Sequence, residues 1–256
     1  MANNARAVLE DALRARRLDR TLTTAQPLVT GDAGVAPTAV ASLDARLAGG
    51  LPRGQLSEIV GPRSSGRTLL LLQAMAAATR RGDIVALVDT LDRLDVASVV
   101  SAGVDLDRLL WIRGDAVSVG ATHASPVSDR VVERALKALN LVLQAGGFGV
   151  VALDLADVPD SALRRIPFTT WPRIQRIVEG RDTACVLLAS QPLARSAGGV
   201  TLMLTGRSEW VGESDRARRL DGMHVEARVV SPRRHLNRQG IEGTARVRCD
   251  LQDGPR

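Results

Sequence analysis

A short strand, Leu56 to Val60, leads without a break into Gly61-Pro62-Arg63-Ser64-Ser65-Gly66-Arg67-Thr68, and that segment leads into the apolar stretch Leu69 to Thr79. This order of strand, glycine-bounded loop and helix constrains the fold more than any other feature of the chain. The loop follows the phosphate-cradling pattern G-x-x-x-x-G-K-[ST], with arginine standing where the lysine belongs. Its glycines free the backbone N–H groups to wrap a triphosphate, and the hydroxyl of Thr68 is the side chain with which such a loop holds Mg²⁺. The helix beyond adds the positive end of its dipole. A guanidinium at position 67 differs from the missing ammonium in shape, hydration and donor geometry, so the exchange is not chemically neutral. The candidate ATP-phosphate residues are therefore Gly61, Pro62, Arg63, Ser64, Ser65, Gly66, Arg67 and Thr68, with Thr68 also a candidate metal residue.

The rest of the chain alternates strand and helix signals, which predicts an α/β fold: a doubly wound, mostly parallel sheet with helices on both faces. Ala5, Val8, Leu9, Ala12 and Leu13 recur at helical spacing and predict an amphipathic helix over about 4–18. A polar connector, Thr21 to Pro37, follows. Ile84 to Val88, ending in Asp89, reads as a central parallel strand, and Leu109 to Arg113 as another. After a small-residue loop from Asp115 to Ser125, Pro126 opens a helix with Val127, Val131, Ala135, Leu139 and Val142 on one face. Gly146 and Gly147 stop it. Gly149 to Asp154 and Cys185 to Ser190 read as strands, with a helix from Thr169 to Glu179 between them. Beyond Gly198 and Gly199, three segments (Val200 to Thr205, His224 to Val230 and Gly243 to Arg248) are expected as antiparallel strands at one edge. The run Val150-Val151-Ala152-Leu153-Asp154 has the form of a strand whose terminal carboxylate orients Mg²⁺, making Asp154 the second candidate metal residue.

Composition narrows the function classes. With 256 residues, 45% hydrophobic and 24% charged, the chain suffices for one large core. Cys185 and Cys249 have no metal-ligand spacing or partner motif, which argues against a disulfide framework and fits a reducing cytoplasm. The N-terminal residues lack the apolar core of a secretory signal. The stretch Leu69 to Ala78, interrupted by Gln73, is far shorter than the ~20 residues that span a bilayer, so no membrane partner is expected. The net charge of +6 fits either a polyanion partner or a solvated basic face. Lys137 is the only lysine, a skew that points to an arginine-favouring genome as much as to guanidinium chemistry. His123, His224 and His235 have no triad or ligand spacing. Trp111, Trp171 and Trp210 read as core or interface anchors.

Ser42-Leu43-Asp44-Ala45-Arg46-Leu47, Gly49 to Gly54, Glu58-Ile59-Val60-Gly61-Pro62, Ser64-Ser65-Gly66, Thr68, Gly103-Val104-Asp105, Leu109-Leu110, Asp154, Gln191 and Gly198-Gly199 together resemble the RecA recombinase family over roughly residues 37–250. Within it, the loop, Leu153 to Pro159 and Trp171 to Glu179 look most like ImuA-type proteins, RecA-like accessory factors of damage-induced mutagenesis. The resemblance implies a RecA-like core at 37–250, preceded by a helix and connector at 1–36 and followed by a tail at 251–256. It places Arg67 at the phosphate-binding lysine and Leu91 at the catalytic glutamate, with Asp92 beside it as a candidate substitute. It sets Asp95 near the adenine and Ser98 where an aromatic ring would stack, and it makes Gln191 the sensor of the γ-phosphate. Ala156 to Pro167 and Pro192 to Ala197 stand for the two DNA-facing loops, with Arg164, Arg165 and Arg195 as candidate phosphate contacts of single-stranded DNA.

These features lead to the expectation of a cytoplasmic DNA-repair protein of the SOS response. It would act as an adaptor in translesion synthesis, with a degenerate ATP and Mg²⁺ site. Its expected partners are a polymerase-like mutasome protein or a RecA filament, with single-stranded DNA and a homo-oligomer as further associations. The alternatives are a DNA-dependent ATPase that assembles on single strands and, further off, a stress-linked cell-division inhibitor.

Overall fold

The computed structural model describes residues 34–114, 129–194, 198–212, 217–230 and 244–250, all within the compact unit Gly34–Arg256. The expected helix over 4–18, the loop from Asp115 with its Ser125–Pro126 cap, Val127, Arg195, His123 and His235 lie outside the described residues.

A two-residue strand, β1 (Val35–Ala36), pairs with β2 (Leu51–Pro52) around the one-turn helix α1 (Ala41–Asp44). The end of the expected connector is thus paired and partly buried. The main sheet then begins with β3 (Gln55–Val60), followed by α2 (Arg67–Arg80), β4 (Ile84–Asp89), α3 (Val96–Ser101), a 3-10 turn at Leu106–Arg108 and β5 (Leu109–Arg113). The helix α4 (Asp129–Ala145), β6 (Phe148–Asp154), α5 (Asp160–Leu163), α6 (Thr170–Val178) and β7 (Ala184–Ala189) complete the parallel part. Three strands close the chain: β8 (Thr201–Val211), β9 (Arg219–Val230) and β10 (Thr244–Asp250). The eight-stranded order is β10-β9-β8-β3-β7-β6-β4-β5.

β4, β6 and β7 are near-continuous apolar runs because both of their faces are covered. Alternate residues go to opposite sides. Ile59, Val85, Leu87, Val150, Ala152, Val186 and Leu188 pack on the α2 side, while Leu56, Ala86, Val88, Val151, Leu153, Cys185 and Leu187 pack on the side of α4 and α6. Each valine, leucine or isoleucine among them contributes about 1.5–3 kcal/mol on burial. α2 is apolar nearly all round, with Leu70, Leu71, Leu72, Ala74, Met75 and Ala76 to Ala78 buried, as a helix enclosed by sheet and loops must be. α4 instead buries one stripe, Val132, Ala135, Leu139, Val142 and Leu143, and the left-handed Gly146 and Gly147 end it. Val131, expected on that stripe, is only half-buried at its edge.

The expectation of three antiparallel edge strands needs one correction. β9 and β10 are antiparallel, but β8 is mixed: it runs parallel to β3, with Ile59 opposite Leu202, and antiparallel to β9. The connection from β7 crosses close over β3 before re-entering the sheet, so close that a Cβ at Gly199 would lie 2.2 Å from the Leu56 carbonyl oxygen. A crossover between neighbours of one parallel strand delivers the chain in that same direction. No helix among the described residues is long and apolar enough to cross a membrane.

Candidate nucleotide-phosphate site

At the carboxyl end of β3 the chain leaves the sheet at Gly61, whose N–H donates to Ala189 O of β7 at 3.3 Å. Two left-handed residues then curl the loop, Ser64 at φ 57° and Gly66 at φ 91°. Gly66 caps α2 without a side chain, and Leu70 N–H donates to its carbonyl at 2.9 Å. Helix geometry leaves the N–H groups ahead of Leu70 without intrahelical acceptors, so they converge on the mouth of the loop. Ser65 is 1% exposed, and its hydroxyl has no hydrogen-bond partner among the described residues. Thr68, one residue into the helix, is exposed. Orphan N–H groups, an unpaired buried hydroxyl and an accessible threonine are a donor set that fits an anionic phosphate.

Arg67 does not project into solvent. It is 7% exposed, and its Nη1 lies 3.5 Å from the Ala156 carbonyl oxygen, just beyond the end of β6. Burial works against its charge and lowers its pKa, while Asp154 and Asp157 offset part of that effect. Asp154 ends β6 in register with Asp89 on β4 and accepts the Ala156 N–H at 2.8 Å. Burial pushes its carboxyl up to about 6; the Ala156 N–H opposes that shift and the neighbouring Asp89 carboxylate adds to it. On the outer side of the loop, Arg63 Nε meets Asp157 Oδ1 at 3.2 Å. The loop thus carries two arginines toward two aspartates of a single strand end.

The acidic residues expected after β4 are engaged elsewhere. Asp89 is buried and accepts the N–H groups of Arg93 and Leu94 at 2.9 and 2.8 Å and the Trp111 indole N–H at 3.2 Å. Leu91 is 5% exposed and packs in the cluster on the side of α4, away from α2. Asp92, left-handed at φ 54°, holds Arg113 through two bonds of 2.8 Å, which keep its carboxyl below the usual range. The Arg113 guanidinium in turn lies 4.7 Å from the centre of the Trp111 ring. Asp95 caps α3 by accepting the Ser98 N–H and hydroxyl at 2.8 and 2.6 Å, bonds that lower its pKa. Ser98 therefore serves the cap.

Gln191 is exposed on the bend two residues beyond β7, close in sequence to the strand end that touches Gly61. Arg164 and Arg165 lie exposed after α5, and Arg165 is paired with Asp129 at 2.7 Å. Trp171 is core, while Trp210 on β8 is 56% exposed. No group of three or more His, Cys, Asp or Glu residues able to hold a metal occurs among the described residues.

Sequence reasoning missed three participants. Asp157 pairs with Arg63 across a long separation in the chain. Arg113 holds Asp92. Glu58, in the middle of a strand covered on both faces, is buried and bonded to the loop that follows Gln191. The last left a readable signal, because a carboxylate in a doubly covered strand must have donors nearby.

The family model of the RecA N-terminal domain matches residues 26–155. Among curated proteins, Protein RecA of Methylococcus capsulatus is 37% identical over 124 residues, covering 48% of this chain and 31% of that protein. Protein RecA of Clavibacter michiganensis subsp. michiganensis is 37% identical over 121 residues, 47% and 29% of the two chains. Protein RecA of Prochlorococcus marinus is 46% identical over 79 residues, 31% and 21%. The match spans at most about a third of the length of these relatives. It takes in the phosphate loop, α2, β4 and Asp154, the framework of the site, and the chain belongs to the RecA superfamily.

Proposed function

We propose that this protein works in DNA repair, binds nucleotide phosphates at Gly61 to Thr68 without efficient turnover, and acts mainly as an adaptor in damage-induced translesion synthesis. One observation carries the reading. The position that the resemblance assigns to a water-orienting carboxylate is Leu91, buried against α4, and the neighbouring Asp92 is committed to Arg113. Activation of water needs a carboxylate within hydrogen-bond reach of it. The donors that cradle phosphate remain: the N–H groups at the start of α2 and the Ser65 hydroxyl. Thr68 and Asp154 are the residues to hold Mg²⁺, which when bound neutralises phosphate charge. The partners in this reading are a polymerase-like mutasome protein or a RecA filament, met in the cytoplasm.

A second reading, a DNA-dependent ATPase that assembles on single strands, draws on Arg164 and Phe168. Both are exposed on the segment after α5, a cation for backbone phosphate near a ring for a base.

Thermal unfolding with and without Mg-ATP tests nucleotide binding, since a ligand bound only by the folded state raises the melting temperature. Phosphate release, with and without single-stranded DNA, tests turnover. The adaptor reading expects a raised melting temperature, background release under both conditions, and co-purification with a polymerase-like partner. Strand-dependent release well above background would overturn it in favour of the second.

A further inference from the structure

Four charged side chains alternate at one rim of the phosphate loop: Arg63 and Arg67 from the loop, Asp154 and Asp157 from the end of β6. Arg63 meets Asp157 at 3.2 Å, and Arg67 feels both aspartates as well as the repulsion of Arg63. The segment bearing Asp157 is anchored from behind. Leu155 N–H donates to Leu188 O at 2.9 Å, Val158 N–H donates to Leu155 O at 3.1 Å, and both side chains are core. Among the described residues its front meets the loop through the Arg63–Asp157 pair and the long Arg67 contact to Ala156 O, while further along Asp160 accepts the Ser190 hydroxyl at 3.3 Å and Arg165 pairs with Asp129. Asp157 is therefore placed where an anion satisfies the loop's arginines from outside the chain's core.

Resting on the nucleotide-binding reading, we infer that Asp157 is an internal stand-in for a phosphate group, so that a polyphosphate binding at Gly61 to Thr68 displaces it from Arg63. The physical reason is competition for cations. A triphosphate brings several negative charges and donor-hungry oxygens to arginines that a single carboxylate holds loosely; the Arg63 side chain is 82% exposed and that of Asp157 32%. Once Arg63 turns to the phosphate, Asp157 is left beside a like charge and is repelled from the loop. The pair therefore opposes binding. No bond is made or broken in this exchange.

The experiment compares the full-length protein with Asp157→Asn, Arg63→Ala, the double variant and Asp107→Asn. The last removes an exposed charge at the far end of the sheet, on the 3-10 turn before β5. Titration calorimetry with Mg-ATP should give about three- to fivefold tighter binding for Asp157→Asn, as expected for loss of an exposed competing pair. Asp107→Asn should stay within twofold, and the double variant should lose the gain, because Arg63 is the cation released. Unchanged or weaker affinity in Asp157→Asn overturns the inference alone. Failure of every variant to bind Mg-ATP overturns the nucleotide reading, and the inference with it.

Discussion

Glu58 accepts the Ala194 N–H at 2.8 Å with the same carboxylate oxygen that takes the Leu193 N–H at 2.7 Å, and its other oxygen accepts the Thr201 hydroxyl at 3.1 Å. One side chain, 2% exposed in the strand that feeds the phosphate loop, thereby fixes both ends of the crossover between β7 and β8. Gln191 sits at the near end of that crossover. Glu58→Ala orphans two backbone donors, each costing about 1–3 kcal/mol when left unpaired in the interior. The expected loss is about 3 kcal/mol by urea unfolding, whereas Glu58→Gln, which keeps an acceptor for the two N–H groups, should lose about 1 kcal/mol. Equal losses in the two variants would mean that packing, and not acceptance, sets the residue's role.

Leu91→Glu should not create a hydrolase. The side chain belongs to the cluster that holds Val88, Val132 and Ala135 on the face of the sheet opposite α2, so a carboxylate there points away from the phosphate loop. Burying it without a partner is expected to cost about 3 kcal/mol or more. Urea denaturation and phosphate release measured on one preparation give both numbers. A clear rise in release would show that the carboxylate reaches the site.

Arg67→Lys tests the other departure from the loop pattern. If the carboxylate missing at position 91 limits turnover, phosphate release should stay at the wild-type level even though an ammonium is restored. A shorter cation also gives up the contact with Ala156 O, so affinity for Mg-ATP should change within about fivefold, the scale of one weak charged contact. Release that rises tenfold or more would place the defect at Arg67.

The parallel core was legible because enclosure on both faces demands unbroken apolar runs, and each run is closed by a glycine, an aspartate or a turn. β4, β6 and β7 were found that way, β3 by the glycine loop it feeds, and α4 by its stripe from Ala135 to Val142. The direction and length of β8 were not legible: hydrophobic alternation fixes which face a residue takes, not the strand beside which the chain re-enters. The glycine loop could be read to the residue, but the partners of its charges could not. Arg63–Asp157 and Asp92–Arg113 join residues far apart in sequence, and no local pattern records a pairing made only by the sheet's order. α1, α3 and α5, of four to six residues, are too short for a period to register.

Asp154 predicts a pH signature of unusual sign. Its carboxyl is raised to about 6 from an ordinary 3.8, so the folded chain holds that proton more tightly than the unfolded one. This group's contribution to stability is therefore full at low pH, falls as pH rises between about 4 and 6, and is constant above. The shift corresponds to about 3 kcal/mol at most, and residual solvent access reduces it to about 1–2 kcal/mol. Asp154→Asn should match the wild type at pH 4 and exceed it by that amount at pH 7, measured by chemical denaturation across the range. A difference that does not vary with pH would refute the shifted carboxyl.

Gly206 on β8 backs the phosphate loop so closely that a Cβ there would lie 2.4 Å from Ser64 O and 2.8 Å from Ser65 Cα. Its cross-strand partner Val225 presses on the loop as well, since a Cβ at Gly66 would come within 2.7 Å of Val225 Cγ2. These contacts hold the loop's curl from behind, and at Gly206 it is backbone and not a flexible side chain that would have to yield. Gly206→Ala should therefore cost about 1–3 kcal/mol, as overpacking does, and should weaken Mg-ATP binding by shifting Ser64 and Ser65. Met203→Ala, at an exposed site on the same strand, should stay within about 0.5 kcal/mol and leave binding unchanged. If Gly206→Ala lowered stability and left affinity intact, the wall would support the fold without shaping the cradle.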